Sequence, residues 1–129
     1  LKLLLDTHIW LWTWHDPGRL GKRLARELKN PENELWLSPV STWEALLLNA
    51  KGRIRLPKDI DAWVAQKTSP LREAPLTHEI ALASRQLPLS HNDPADRFIA
   101  ATALILQLTL VTADSKLLGL GEISTLANR

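Results

Sequence analysis

Acidic side chains at the ends of short apolar runs are the residues of this chain whose types and spacing could do chemistry. Asp6 directly follows Leu3-Leu4-Leu5, and Asp114 follows Leu110-Val111-Thr112 with one residue between. Glu44 lies among apolar neighbours in the first half of segment 39–50, and Asp96 opens a long alanine-rich apolar stretch three residues after Asp93. Carboxylates that converge in a partly dry cleft repel one another, and each raises the other's pKa until a proton or a cation arrives. A hard divalent cation relieves that repulsion. Mg²⁺ takes oxygen ligands in octahedral geometry and binds through a few carboxylates while keeping several waters, and Mn²⁺ suits the same oxygens. Each acid alone also has a plainer reading. Asp6 and Asp114 suit helix N-caps, Asp93-Pro94 is a cap followed by proline at the first helical position, and Asp96 is an acid favoured by the helix dipole. Ser41-Thr42-Trp43-Glu44 matches the S-x-x-E capping box. Spacing by itself leaves both readings open.

The elements that must position these acids alternate. Leu3-Leu4-Leu5, Leu35-Trp36-Leu37 and Leu110-Val111-Thr112 read as short buried strands, with further short strands expected at 71–74 and 123–126. Helical spacing predicts helices over 7–14, 20–28, 39–50, 60–67, 78–87 and 95–108, and a helical turn over 115–118. Strands alternating with helices predict an α/β fold with a short, mainly parallel sheet flanked by helices on both faces. In such folds ligands gather beyond the carboxyl ends of the strands, where Asp6 and Asp114 stand.

Composition bounds the class. The 129 residues fit one compact domain, 1–129, and 45% hydrophobic against 23% charged residues argues against disorder. No apolar run approaches the roughly 20 residues of a membrane span, and no secretory signal is visible, so a cytoplasmic protein is expected. Cysteine is absent, and the histidines are not spaced as zinc ligands, so zinc is disfavoured. Net charge is only +2, but its distribution is uneven. Lys51, Arg53, Arg55 and Lys58 form a basic stretch, Arg97 sits beside the acids, and Arg19, Lys22, Arg26 and Lys29 recur at helical steps. Such groups attract a phosphate backbone without reading sequence, although a charged helix face can equally be merely solvated. Trp36 and Trp43 read as core. Trp10, Trp12 and Trp14 crowd one helix, and at least one of them is expected to be exposed.

Leu4-Leu5-Asp6-Thr7-His8, Ser41-Thr42-Trp43-Glu44, the run Asp93 to Ala103 and Leu110-Val111-Thr112-Ala113-Asp114 resemble, in order and spacing, the four signature blocks of PIN-domain ribonucleases. The likeness is nearest to VapC-type toxins of bacterial toxin–antitoxin pairs and spans nearly the whole chain. The resemblance implies a metal-dependent endoribonuclease with an acidic quartet at Asp6, Glu44, Asp96 and Asp114. Asp93 would be an auxiliary metal ligand, and Thr7 and Thr112 would hold carboxylates or waters. It implies Mg²⁺ as the cofactor, with Mn²⁺ a substitute, and RNA hydrolysis by a metal-activated water. Arg97, Arg53, Arg55 and Lys51 are the expected RNA contacts. A small antitoxin and a homodimer are the implied partners. His8 and His91 lie near the acids without a required role. A DNA or structure-specific nuclease on the same scaffold and a non-catalytic α/β binding module are the alternatives. A phosphoacceptor receiver fits poorly, because Lys116 follows Asp114 without a fresh strand between them. A haloacid-type phosphatase fits poorly because His8 stands where it needs an acid.

Overall fold

A computed structural model describes residues 1–90 and 92–129. Its centre is a sheet of β1 (Lys2–Leu5), β2 (Glu34–Leu37), β3 (Arg72–Glu73), β4 (Thr109–Thr112) and β5 (Thr125–Ala127). The order is β3-β2-β1-β4-β5 and every pairing is parallel. Leu3 and Leu5 enter one apolar layer with Ile9, Trp10, Leu24 and Trp63, while Leu4 enters the other with Ile80, Ile99 and Leu110. A strand buried on both faces must be apolar throughout, which is why β1 reads as an unbroken leucine run.

The chain winds from β1 through β2 to β3 on one side, then returns to lay β4 on the other side of β1. The winding direction therefore reverses between β1 and β4, the crevice where open parallel sheets bind ligands. Leu5 is in register with Val111, and the Asp6 N–H donates to the Val111 carbonyl at 2.9 Å. That bond carries the ladder one residue past β1 and draws Asp6 against Thr112.

Among the described residues seven helices cover the faces: α1 (Thr7–His15), α2 (Lys22–Lys29), α3 (Pro39–Ala50), α4 (Ile60–Thr68), α5 (His78–Gln86), α6 (Pro94–Leu106) and α7 (Ser115–Leu118). The helices keep their expected bounds to within one residue except at two ends. A 3₁₀ turn at Pro17–Arg19 delays α2 until Gly21 can cap it. Gln107 adopts a left-handed conformation at φ 54° and ends α6 before residue 108. The last strand also lies further along than expected, at Thr125–Ala127. The capping box at Ser41 is not formed. Ser38 is the N-cap, accepting the Val40 N–H at 3.1 Å, and Pro39 occupies the first helical turn.

The tryptophans distribute differently from the expectation. Trp10 and Trp14 meet edge-on at 5.8 Å, and Trp63 of α4 completes the group at 6.0 and 5.2 Å. A third ring from another helix supplies the packing surface that α1 alone lacks, so none of the α1 tryptophans is fully exposed. Trp43, expected in the core, is instead 57% exposed on α3, and Trp36 is only half-buried.

Gly21 lies against the last residue of the chain. A Cβ there would stand 1.8 Å from the Arg129 carbonyl carbon, whose oxygen accepts the Leu24 N–H. Gly21→Ala is expected to displace the 128–129 segment and cost about 1–3 kcal/mol through lost hydrogen bonds, read as a lower urea midpoint. An unchanged midpoint would show that the segment contributes nothing to stability.

Candidate active site

Four elements deliver the acids. Asp6 stands at the end of β1 and caps α1, Glu44 projects from the second turn of α3, Asp93 and Asp96 begin α6, and Asp114 caps α7 after β4. The capping reading is correct for three of them. Asp6 accepts the Thr7 N–H at 2.8 Å, Asp93 the Ala95 N–H at 3.0 Å, and Asp114 the Lys116 N–H at 2.8 Å. Each of those bonds occupies a single carboxylate oxygen, Oδ1 in every case, so capping and a second role coexist.

The acids also act on one another. Burial pushes the Asp6 carboxyl up, opposed by the Thr112 hydroxyl, the Thr7 N–H and the nearby His8 imidazole, while Asp114 adds to the rise. Burial likewise raises Glu44, with Asp93 and Asp6 reinforcing it against the Thr7 hydroxyl and His8. Asp96 responds most. Burial, then Asp6, Asp93, Asp114 and Glu44 in that order, push it up to about 7. All five acids therefore share one electrostatic field. Among the described residues no three acid or imidazole groups close into a ready-made cage for an ion.

Hydroxyl groups hold the two innermost acids. Thr112 Oγ1 donates to Asp6 Oδ2 at 2.7 Å, and accepts the Asp114 N–H at 3.0 Å. Thr112 thus ties together the acids at the ends of β1 and β4. Thr7 Oγ1 lies 2.9 Å from Ser41 Oγ and also reaches Glu44 Oε1. Thr7 has a single hydroxyl proton. With Glu44 ionised, that proton goes to the carboxylate, and Ser41 must give its own to Thr7. Ser41 is fully buried, and sequence reasoning missed it. The signal was its place three residues before Glu44, which puts both on one helix face.

The expected RNA contacts are not brought to the acids. Arg97 is only 8% exposed, and its guanidinium donates to the carbonyls of Leu87 at 3.2 Å and Leu89 at 3.5 Å. It braces the segment ahead of α6 from inside through its two terminal nitrogens, while its buried Nε has no partner among the described residues. Lys51, Arg53 and Arg55 are exposed, but they follow the last residue of α3. Seven residues separate Glu44 from Lys51, about 10 Å of helix rise. His8 is exposed at the start of α1, next to the acids. His15 and His78 are surface residues, and His91 lies outside the described residues.

Comparison with known proteins agrees with this arrangement. Residues 3–122 match the family model of the PIN domain. The chain is 33% identical over 116 residues to ribonuclease VapC22 of Mycobacterium tuberculosis, covering 89% of this chain and 88% of that one. Among solved structures, a chain of the DNA-bound VapBC from Salmonella typhimurium superposes with a TM-score of 0.76 at 19% identity, over 100% of this chain and 99% of that one. A chain of VapBC2 from Rickettsia felis bound to a promoter DNA fragment gives 0.73 at 17% identity, over 98% of each.

Two outcomes follow from the electrostatics and the hydroxyls. Asp96 rises from 3.8 to about 7 on folding, so the folded chain holds its proton more tightly. Stability contributed by the neutral form is complete below pH 4 and is lost as pH rises through 7. In metal-free protein, Asp96→Asn is therefore expected to match the parent near pH 4 and exceed it at pH 8. After discounting for solvent screening, the gain is about 1 kcal/mol, or a few degrees in Tm. A gap independent of pH would refute the crowding. Thr112→Val leaves buried Asp6 short of a donor and should cost roughly 1–3 kcal/mol, measured by denaturant unfolding at pH 7.

Proposed function

Because the chain belongs to the PIN-domain family, we propose that it is a metal-dependent endoribonuclease, the toxin of a toxin–antitoxin pair, hydrolysing RNA phosphodiester bonds at the acid cluster. The observation that carries this reading is the gathering of five carboxylates at the β1–β4 crevice, where burial first and the other four acids after it push Asp96 up to about 7. The 33% identity to a ribonuclease over most of both chains supports the substrate class.

The donor set suits a hard cation, since every candidate ligand is a carboxylate oxygen and Mg²⁺ needs only a few of them beside its waters. Asp6, Asp96 and Asp114 would hold Mg²⁺, or Mn²⁺ in its place, with Asp93 as an auxiliary and Glu44 acting through water. When bound, such a cation supplies a water of lowered pKa and offsets charge on the phosphate oxygens. The chain's own residues do the rest. The Thr112 hydroxyl and the Thr7 N–H fix both oxygens of Asp6, so the carboxylate meets its ligand without reorganising. Thr7 takes up Glu44 Oε1, leaving Oε2 to orient the attacking water and accept its proton.

The partners belong to the same reading. A groove of about 580 Å³ runs between α1, α2 and α4, lined by apolar side chains including Trp10, Trp14, Leu20, Leu28 and Leu35. An amphipathic antitoxin segment fits such a groove through its apolar face. Trp43, Leu76 and Leu82 are exposed apolar side chains among the described residues, and a second copy would cover them in a homodimer. No helix is long and apolar enough to cross a membrane among the described residues. An RNA substrate would be met in the cytoplasm.

Asp96→Asn is expected to lower Mg²⁺-dependent RNA cleavage at least ~100-fold while keeping the circular dichroism of the parent. Cleavage at the parental rate would move the active site elsewhere. Equal cleavage of matched RNA and DNA oligonucleotides would replace the ribonuclease reading with a broader nuclease. Because a cation must displace the Asp96 proton, Mn²⁺ calorimetry at pH 7 should release protons, seen as a dependence of the heat on buffer ionisation enthalpy. Asp96→Asn should abolish that dependence, and a buffer-independent parent would separate Asp96 from the metal site.

A further inference from the structure

A polyanion approaching five carboxylates needs cations beside them, and the side chains expected in that role are not there. Arg97 is turned inward to backbone carbonyls, and the basic stretch at Lys51 to Arg55 follows the far end of α3. A run of cationic and aromatic groups does begin at the cluster, on α1 and the 3₁₀ turn that follows it. His8 is exposed in the first turn of α1. The His8 ring packs against Trp12 at 6.2 Å, tilted by 55°. The guanidinium of exposed Arg19 lies over the same indole, 4.8 Å from its centroid. Arg19 forms no ion pair among the described residues, where the recorded pair is Arg72 with Glu34. Trp12 therefore touches both a histidine and an arginine that has no ion pair, in a ridge that starts at the acids and leads away from them.

We propose that the ridge of His8, Trp12 and Arg19 is the track along which single-stranded RNA enters the acid cluster. The proposal rests on the ribonuclease reading and names the side chains that hold its substrate. Arg19 binds a backbone phosphate through its guanidinium fork. His8 offers its ring and an N–H to the nucleotide beside the scissile bond, contacts open to any single-stranded base. Trp12 is a positioning residue. Its indole face fixes the arginine by cation–π attraction, and the same ring packs against the imidazole. An extended, exposed ridge of this kind fits one strand better than a duplex, which presents its bases inside a groove. The opposite face of α1, with Trp10 and Trp14, lines the groove assigned to the antitoxin. One helix thereby separates a substrate face from a partner face.

The test is RNA binding in an Asp114→Asn background, read by the anisotropy of a labelled single-stranded RNA of mixed sequence across a salt series. Arg19→Glu and His8→Ala should each weaken binding about 5-fold or more, and Arg19→Ala should lower the salt slope by about 0.7. Trp12→Leu should weaken binding only while Arg19 is present, so Trp12→Leu with Arg19→Ala should bind no worse than Arg19→Ala alone. Arg85→Glu, on exposed α5, makes the same charge change elsewhere and should alter binding less than about 2-fold. Equal losses for Arg19→Glu and Arg85→Glu would reduce the ridge to net charge and overturn the proposal. Full RNA affinity in all ridge variants would give the ridge to a protein partner, with the same result. If the parent background binds no RNA, the ribonuclease reading fails and the track fails with it.

Discussion

Repulsion among carboxylates at the crossing of β1 and β4 is the constraint that the rest of the molecule serves. Asp6 and Asp114 stand at the ends of neighbouring strands, and α3 and α6 add Glu44, Asp93 and Asp96 to the same edge. Capping favours Asp6, Asp93 and Asp114 one at a time, but their gathering as like charges opposes folding. It persists because the apolar layers on both sheet faces over-determine the positions of β1, β4 and α6. Burial and the surrounding acids together raise Asp96 to about 7, and a bound cation would offset the part due to repulsion. The sheet's stability and the site's affinity for a cation are thus opposite sides of one free-energy balance.

Much of this was legible in the residues. Leu3-Leu4-Leu5 reads as a buried strand and Asp93-Pro94 as a helix start, and both are found there. The acids at strand ends followed from the placement of ligand sites in parallel sheets. What escaped was set by tertiary partners. Trp43 sits among apolar neighbours in sequence, yet α3 turns it outward while Val40, Ser41 and Ala45 face in. Trp10 and Trp14 needed Trp63, some fifty residues away, to be covered. Arg97 adjoins Asp96 in sequence, but a helix sends consecutive residues about 100° apart, and its face meets the carbonyls of Leu87 and Leu89. Charge near an acid in sequence is not charge near it in space.

Ser41 shows a subtler limit. Its spacing to Glu44 suits a capping box, and the same spacing suits two side chains sharing a helix face. The choice depends on where the helix begins, and Ser38-Pro39 starts it one turn earlier. Once Ser38 is the cap, Ser41 is left inside the helix with its hydroxyl directed at Thr7. Proton counting then orders the chain of donors from Ser41 through Thr7 to Glu44.

The choice of donors around the innermost acids has its own logic. Asp6 is held by a hydroxyl and a backbone N–H, and Glu44 by a hydroxyl. Lysine or arginine in those places would bind more strongly, but would also neutralise the carboxylates and lower their affinity for a cation. Neutral donors orient the oxygens without cancelling the charge. The division of labour extends outward. Arg97, close in sequence, is engaged with carbonyls inside the fold, whereas the unpaired charge of Arg19 is kept a helical turn or more from Asp6 on an indole face. Cations that steer a phosphate backbone without pairing with the acids would leave the cluster negative enough for a metal and still approachable by a polyanion.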